Sequence, residues 1–320
     1  MKEKRKIILA GGSGFLGETL ARWFDPETTE VVVLSRNPEK VRFPRAIEWD
    51  GRTLGPWTRE LEGATAVVNL TGRSVNCRYH AKNRKLIRNS RIDSTRVLGE
   101  AMRECQQPPG VWLNSSTATI YRHTFGPAHG EAGEIGATPE IKDPFSIEVA
   151  RTWEDEFEQA TRPLPNTRAI TLRTAMVLGA VPGGVYQVLR RLTRLGLGGD
   201  MGTGRQFVSW IHAEDFCRAI DWLIANPEAA GIYNLTSPHP LPNAETMRTF
   251  RKVEDRCVGL PAPAWLLEIG AFFLRTETEL ILKSRRVIPQ RLLSEGFDFR
   301  FPTLETALRD LEQSQPENQP

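Results

Sequence analysis

The chain has 320 residues, 40% of them apolar and 25% charged, with a formal net charge of +3. That is enough chain for an α/β domain with an appended lobe, and too weak a positive balance to suggest nucleic-acid binding. Four cysteines without a C-x-x-C pair, five histidines without ligand spacing and no apolar run near the ~20 residues of a membrane span argue against a zinc site or a membrane protein and point to reduced thiols in the cytoplasm.

Lys2, Lys4, Arg5 and Lys6 flank an apolar run, Ile7 to Ala10, too short for a signal peptide and suited to a buried parallel strand. Gly11, Gly12, Ser13, Gly14, Phe15, Leu16 and Gly17 follow as a glycine turn. Leu16, Leu20, Trp23 and Phe24 then recur at helical spacing. Strand, glycine turn and helix are what a dinucleotide pyrophosphate requires: backbone close to the phosphates and helix N-terminal amides aimed at negative charge. The second strand, Glu30 to Leu34, ends without an acid and is followed by Arg36. A carboxylate there takes the ribose hydroxyls of NAD, whereas an arginine suits the extra phosphate of NADP, so the spacing predicts NADP(H) over NAD(H).

Strands are predicted at Ala46 to Trp49 and at Ala66 to Leu70, the latter closing on Thr71 and Gly72 where a cofactor would cross the sheet. Residues 82 to 105 read as one helix with Leu98, Met102 and Cys105 on a buried stripe and Arg84, Arg88 and Arg91 on another face, of which Arg84 and Arg88 are read as solvated. A fifth strand from Val111 runs into Ser115, Ser116 and Thr117, hydroxyls placed to hold a substrate oxygen or to cap a helix. Residues 122 to 143 read as a loop over the cleft, and Phe145 to Ala160 as an acidic helix. Strands follow at Arg168 to Leu172 and Gly231 to Leu235, with helices at Asn243 to Val258 and Ala264 to Leu274. Arg190, Arg191 and Arg194 suit either a surface helix or an anionic substrate, and Arg205 is the preferred substrate contact. His212, before a helix, is either a proton carrier or a cap.

The chain resembles the atypical branch of the extended short-chain dehydrogenase/reductases, the NAD(P)-dependent epimerase-like proteins sometimes labelled cell-division inhibitor-like, with their C-terminal domain of unknown function. The resemblance is carried by GGSGFLG, VVNLTG at 67 to 72, SRIDSTR at 90 to 96, STATIY at 116 to 121, LRTAMVLG at 172 to 179, GLGGDMGTGRQFVSWIH at 196 to 212 and VIPQRLLSEGFDF at 287 to 299. It implies that the proton-moving Tyr and the Lys four residues later are replaced by Phe145 and Val149, leaving Thr117 as the surviving hydroxyl. Among the residues themselves, Tyr121 near the same strand end either carries the proton or packs beneath the cofactor, and His212 is the other candidate. It also implies that helices 82 to 105 and 145 to 160 are the pair relatives use to dimerise, so monomer and homodimer both stay open.

The expected fold is a Rossmann-type doubly wound parallel sheet, residues 1 to 175, with a smaller C-terminal α+β substrate lobe, 176 to 311, interleaved with it, and a polar tail from 312 to 320. The expected function is an NADP(H)-binding oxidoreductase acting on the carbonyl or alcohol of a small, anionic substrate such as a sugar nucleotide. The alternative is a catalytically reduced NADPH sensor or scaffold working through a protein partner.

Overall fold

A computed structural model describes residues 4–41, 45–141, 143–181, 184–267 and 279–315. Seven strands pair in parallel: β1 (Arg5–Ala10), β2 (Thr29–Ser35), β3 (Ala46–Glu48), β4 (Ala66–Asn69), β5 (Val111–Thr117), β6 (Arg168–Thr174) and β7 (Gly231–Leu235). Their order across the sheet is β3-β2-β1-β4-β5-β6-β7, so the winding reverses between β1 and β4, where ligands bind in open parallel sheets. Alternate residues of each strand feed opposite faces. Ile7 and Leu9 pack with helices α1 (Phe15–Trp23) and α5 (Ala213–Ala225), whereas Ile8 and Ala10 pack with α2 (Ala81–Arg103) and α3 (Pro144–Thr161).

The smaller lobe has its own core, in which Tyr186 of α4 (Val185–Arg194), Phe250 of α6 (Asn243–Val253) and Leu304, Leu308 and Leu311 of α7 (Leu304–Gln313) pack together. The two parts interleave, because α5 and β7 return to the main sheet after α4. The segment QFVSW, residues 206 to 210, forms two strands, Phe207–Val208 and Trp210–His212, rather than one. Ser209 between them is turned toward residues 285–287, where its Oγ donates to Arg285 O at 2.8 Å and accepts from Val287 N at 2.9 Å. Helix α6 stops at Val253 rather than 258, with Asp255 in the left-handed region at φ 51°. Of the predicted helix 264 to 274, residues 264–267 are helical and the remainder lies outside the described residues, as does the tail from 316. No described helix is long and apolar enough to cross a membrane.

Candidate functional site

The glycine turn between β1 and α1 is built from contacts only glycine permits. Gly11 sits at φ 74°, and a Cβ there would lie 2.8 Å from Thr71 Cα. A Cβ on Gly17 would lie 2.3 Å from Gly12 Cα, so the helix is drawn down onto the turn. Gly14 differs: its Cβ position has no neighbour nearer than 3.9 Å. It is the N-cap of α1 and brings no capping side chain, which leaves first-turn amides facing the cleft. The Thr71 hydroxyl beside Gly11 is buried without a hydrogen-bond partner. Uncapped amides, an open Gly14 and an orphan hydroxyl fit a dinucleotide pyrophosphate.

The turn opens into a cleft of about 570 Å³ at the carboxyl edge of the sheet. Gly72 to Val75, the hydroxyls of Ser115, Ser116, Thr117 and Thr119, and Phe145, Val149 and Trp153 form its walls. Among the described lining residues are two arginines, Arg73 and Arg91, and no carboxylate. Beneath the walls a buried polar network fixes the strand ends. Asn69 Nδ2 donates to Asn114 Oδ1 at 2.7 Å, and Thr95 Oγ1 accepts from Asn69 Nδ2 at 3.3 Å and from Trp153 Nε1 at 3.2 Å. The network ties β4 and β5 to α2 and α3.

The structure gathers Gly11, Gly14, Phe15, Leu16, Gly17, Gly72, Ser115 and Thr117 on this cleft. Gly12 is buried behind the turn and Ser13 is exposed at its tip. Thr117 Oγ1 accepts from Thr119 N at 3.1 Å, and its own proton remains to be donated. Arg36 stands exposed beyond β2 and, among the described residues, makes no hydrogen bond or ion pair. Phe145 and Val149 are buried against Ile87, and the Tyr79 ring meets Phe145 edge-on with centroids 5.0 Å apart.

Other candidates lie off the cleft lining. Tyr121 is buried. Its hydroxyl donates to Asn234 Oδ1 at 2.8 Å and accepts from Arg173 Nη1 at 3.0 Å, and burial raises its pKa, so it is a structural phenol rather than a base. Arg173 is itself clamped to Glu154 at 2.7 Å. His212 Nδ1 caps α5 by accepting from Glu214 N at 3.1 Å. Burial, with Arg300 nearby, lowers its pKa to about 4, so the ring is neutral. Its Nε2 is 3.3 Å from Asp310 Oδ2 but out of line for a hydrogen bond. The cap is therefore its role. Arg205 is exposed and lies over the Phe125 ring at 5.4 Å, away from the cleft. Arg190 and Arg194 pair with Glu312 and Glu254 inside the smaller lobe. Loop 122–143 also departs from expectation: His129 and Glu131 bond to the chain at 286–291, and no described residue of the loop lines the cleft.

The sequence places Arg91 in a basic row with Arg84 and Arg88 and gives it no role in the site. It sits on the buried stripe of α2 with Ile87, Ser94 and Leu98, and a cation on a buried stripe is the signal that could have found it. Tyr79, Arg73 and Ser146, which carry no comparable periodic signal, were missed as well.

A model of the NAD dependent epimerase/dehydratase family matches residues 7–236. A second model, for a domain of unknown function, DUF1731, matches residues 262–311. Epimerase family protein SDR39U1 of Bos taurus is 30% identical over 310 residues, covering 96% of this chain and 99% of its own. Epimerase family protein YfhF of Bacillus subtilis is 28% identical, with 95% and 97% covered. The crystal structure of human epimerase family protein SDR39U1 with NADPH superposes with a TM-score of 0.84 at 28% identity, covering 97% of this chain and 100% of that one. A nucleoside-diphosphate sugar epimerase from Corynebacterium glutamicum gives 0.74 at 25% identity, covering 97% of this chain and 58% of that one.

Proposed function

The chain belongs to the NAD dependent epimerase/dehydratase family, and from that premise we propose that it binds NADP(H) in this cleft and moves hydride to or from the carbonyl or alcohol of a small anionic substrate. The observation that carries the reading is the uncapped glycine turn, with its open Gly14 and orphan Thr71 hydroxyl, facing a cleft lined by arginines and no described carboxylate. The human relative with NADPH bound supports the choice of nucleotide. In this reading the α1 amides hold the pyrophosphate, Arg36 the 2′-phosphate, and Thr71 and Gly72 line the middle of the nucleotide. NADP(H) held there would supply or accept the hydride, with the balancing proton exchanged with solvent. Thr117 donates a hydrogen bond to the substrate oxygen. Phe145 and Val149 contribute apolar walls and no proton. Sugar nucleotides are the first substrates to test.

The test is a nicotinamide-fluorescence titration with NADPH and NADH on the wild type and on Arg36→Ala. A lost charged phosphate contact weakens NADPH binding by ~10- to 100-fold and leaves NADH unchanged. An equal loss for both nucleotides removes Arg36 from the 2′-phosphate, and absence of binding removes the reading.

The apolar packing of Phe145 and Val149 against Ile87 favours a second reading, an NADPH-sensing or scaffold protein. Phe145→Tyr combined with Val149→Lys separates the two. Gain of NADPH oxidation with simple carbonyls supports a site still shaped for chemistry, and unchanged NADPH affinity with no gain supports the sensor.

A further inference from the structure

Arg91 is a half-buried cation with an unusual set of partners. Its Nη1 donates to Arg73 O at 3.2 Å and to Ile87 O at 2.9 Å, both neutral acceptors. Its Nη2 and Nε make no hydrogen bond among the described residues. Three carboxylates on α2 and α3 are engaged elsewhere: Glu154 with Arg173 and Ser116, Glu148 with Arg88, and Asp93 with Arg52 and Arg96. Burial lowers the Arg91 pKa to about 10, the signature of a charge taken out of water without a counterion.

Its placement is as specific as its charge. The guanidinium lies over the Trp153 ring at 5.0 Å, which sets its plane. Gly72 leaves room for it, since a Cβ there would fall 3.1 Å from Cζ and 3.2 Å from Nη2. Indole on one side and Gly72 on another leave the unpaired edge in the wall of the cleft. A planar guanidinium so held binds a phosphate or carboxylate through two hydrogen bonds, and truncation of such an arrangement leaves the charge unanswered.

We propose that Arg91 is the anion receptor of the cleft, its free edge taking an oxyanion group of a ligand bound beyond the glycine turn. The inference rests on the nucleotide reading above. The oxyanion is either a phosphate of the nucleotide or an anionic substituent of the second ligand. In both cases the site selects a phosphate or carboxylate.

The experiment compares wild type, Arg91→Gln and Arg91→Lys in two titrations: NADPH by nicotinamide fluorescence, then inorganic phosphate and oxalate by calorimetry on NADPH-loaded protein. Arg91→Gln weakens one of the two by about 10-fold or more, and Arg91→Lys, which keeps the charge, recovers part of it. Loss in the NADPH titration assigns the anion to the nucleotide, and loss confined to phosphate or oxalate assigns it to the second ligand. Variants that melt cooperatively like wild type and bind all three probes with wild-type affinity overturn the proposal and leave Arg91 as a tether for the Arg73 and Ile87 carbonyls. If Arg91→Gln fails to fold, Arg91→Lys decides alone: wild-type affinity for every probe overturns the proposal, because an ammonium cannot reproduce the bidentate fork. Should wild type bind no NADPH, the nucleotide reading fails by itself. Phosphate and oxalate titrated onto the free protein then decide Arg91 by the same comparison.

Discussion

Gly14 and Gly17 stand three residues apart in one turn, yet the structure separates their roles, and two alanine substitutions make the separation measurable. In Gly17→Ala the new methyl meets the Gly12 backbone, 2.3 Å from its Cα, and backbone held between β1 and α1 has little room to give. Overpacking costs up to ~3 kcal/mol and the better helix propensity of alanine returns at most ~1 kcal/mol, a net loss of ~2 kcal/mol. For a chain of 320 residues that is a fall in Tm of roughly 3 °C. In Gly14→Ala the methyl has no neighbour nearer than 3.9 Å, so the fold is spared beyond the ~1 kcal/mol that alanine costs at an N-cap. The methyl instead occupies the space over the α1 amides, and NADPH binding weakens by about 10-fold or more, ~1.4 kcal/mol. Melting curves without nucleotide and NADPH titrations on both variants read the two effects. A Gly17→Ala protein that melts like wild type, or a Gly14→Ala protein with wild-type NADPH affinity, refutes the assignment of scaffold to one glycine and phosphate cradle to the other.

Three further expectations concern stability. His212 is held neutral with its pKa lowered to about 4 from the ordinary 6.5, so the unfolded chain takes up its proton first. Its contribution is complete above pH 6.5 and is lost as pH falls toward 4, about 3 kcal/mol in all. Denaturation between pH 4 and 7 shows a shallower slope in His212→Asn, which keeps a capping side chain; an unchanged slope assigns the pH dependence elsewhere. Lys283 is buried with Nζ 2.6 Å from Asp143 Oδ2 and 2.7 Å from Thr119 O, so Lys283→Met strands a buried carboxylate and costs ~3–5 kcal/mol by chemical denaturation. Adding Asp143→Asn recovers part of that loss, and strict additivity argues against a direct pair. Thr95→Val is isosteric but strips the acceptor from Trp153 Nε1 and Asn69 Nδ2, a loss of ~2 kcal/mol in the same assay. A loss under ~0.5 kcal/mol would show that the network is satisfied without it.

What the sequence disclosed follows from the range of the forces involved. The first strand, the glycine turn and α1 were legible because their signals are local: an apolar run, glycines that no other residue can replace, and a helical period. The break at Ser209 was not, because its cause is a hydrogen bond to residues 76 and 78 positions away. Nor was the Asn69–Asn114 pair, which joins residues 45 apart. Tyr121 and His212 carried the right chemistry for proton transfer. Their hydrogen bonds, to Asn234 in one case and to the α5 amide in the other, turn each into scaffold. Arg91 was within reach, since its place on the stripe with Ile87 and Leu98 conflicts with its charge, and that conflict marks a site.

The return of α5 and β7 to the main sheet bears on how the chain acquires its structure during synthesis. Leu20 and Phe24, at the start of the chain, share a core with Phe216, Ile220 and Leu223, and Arg5 pairs with Asp221 at 2.8 Å across 216 positions. Until α5 and β7 leave the ribosome, the α1 face of the sheet is covered only by α1, and β6 has no outer neighbour. Contacts of such separation close slowly, and an incompletely covered parallel sheet is an aggregation hazard. Nascent chains ending before residue 213 should therefore depend on chaperones, and α5 is the element whose emergence releases them.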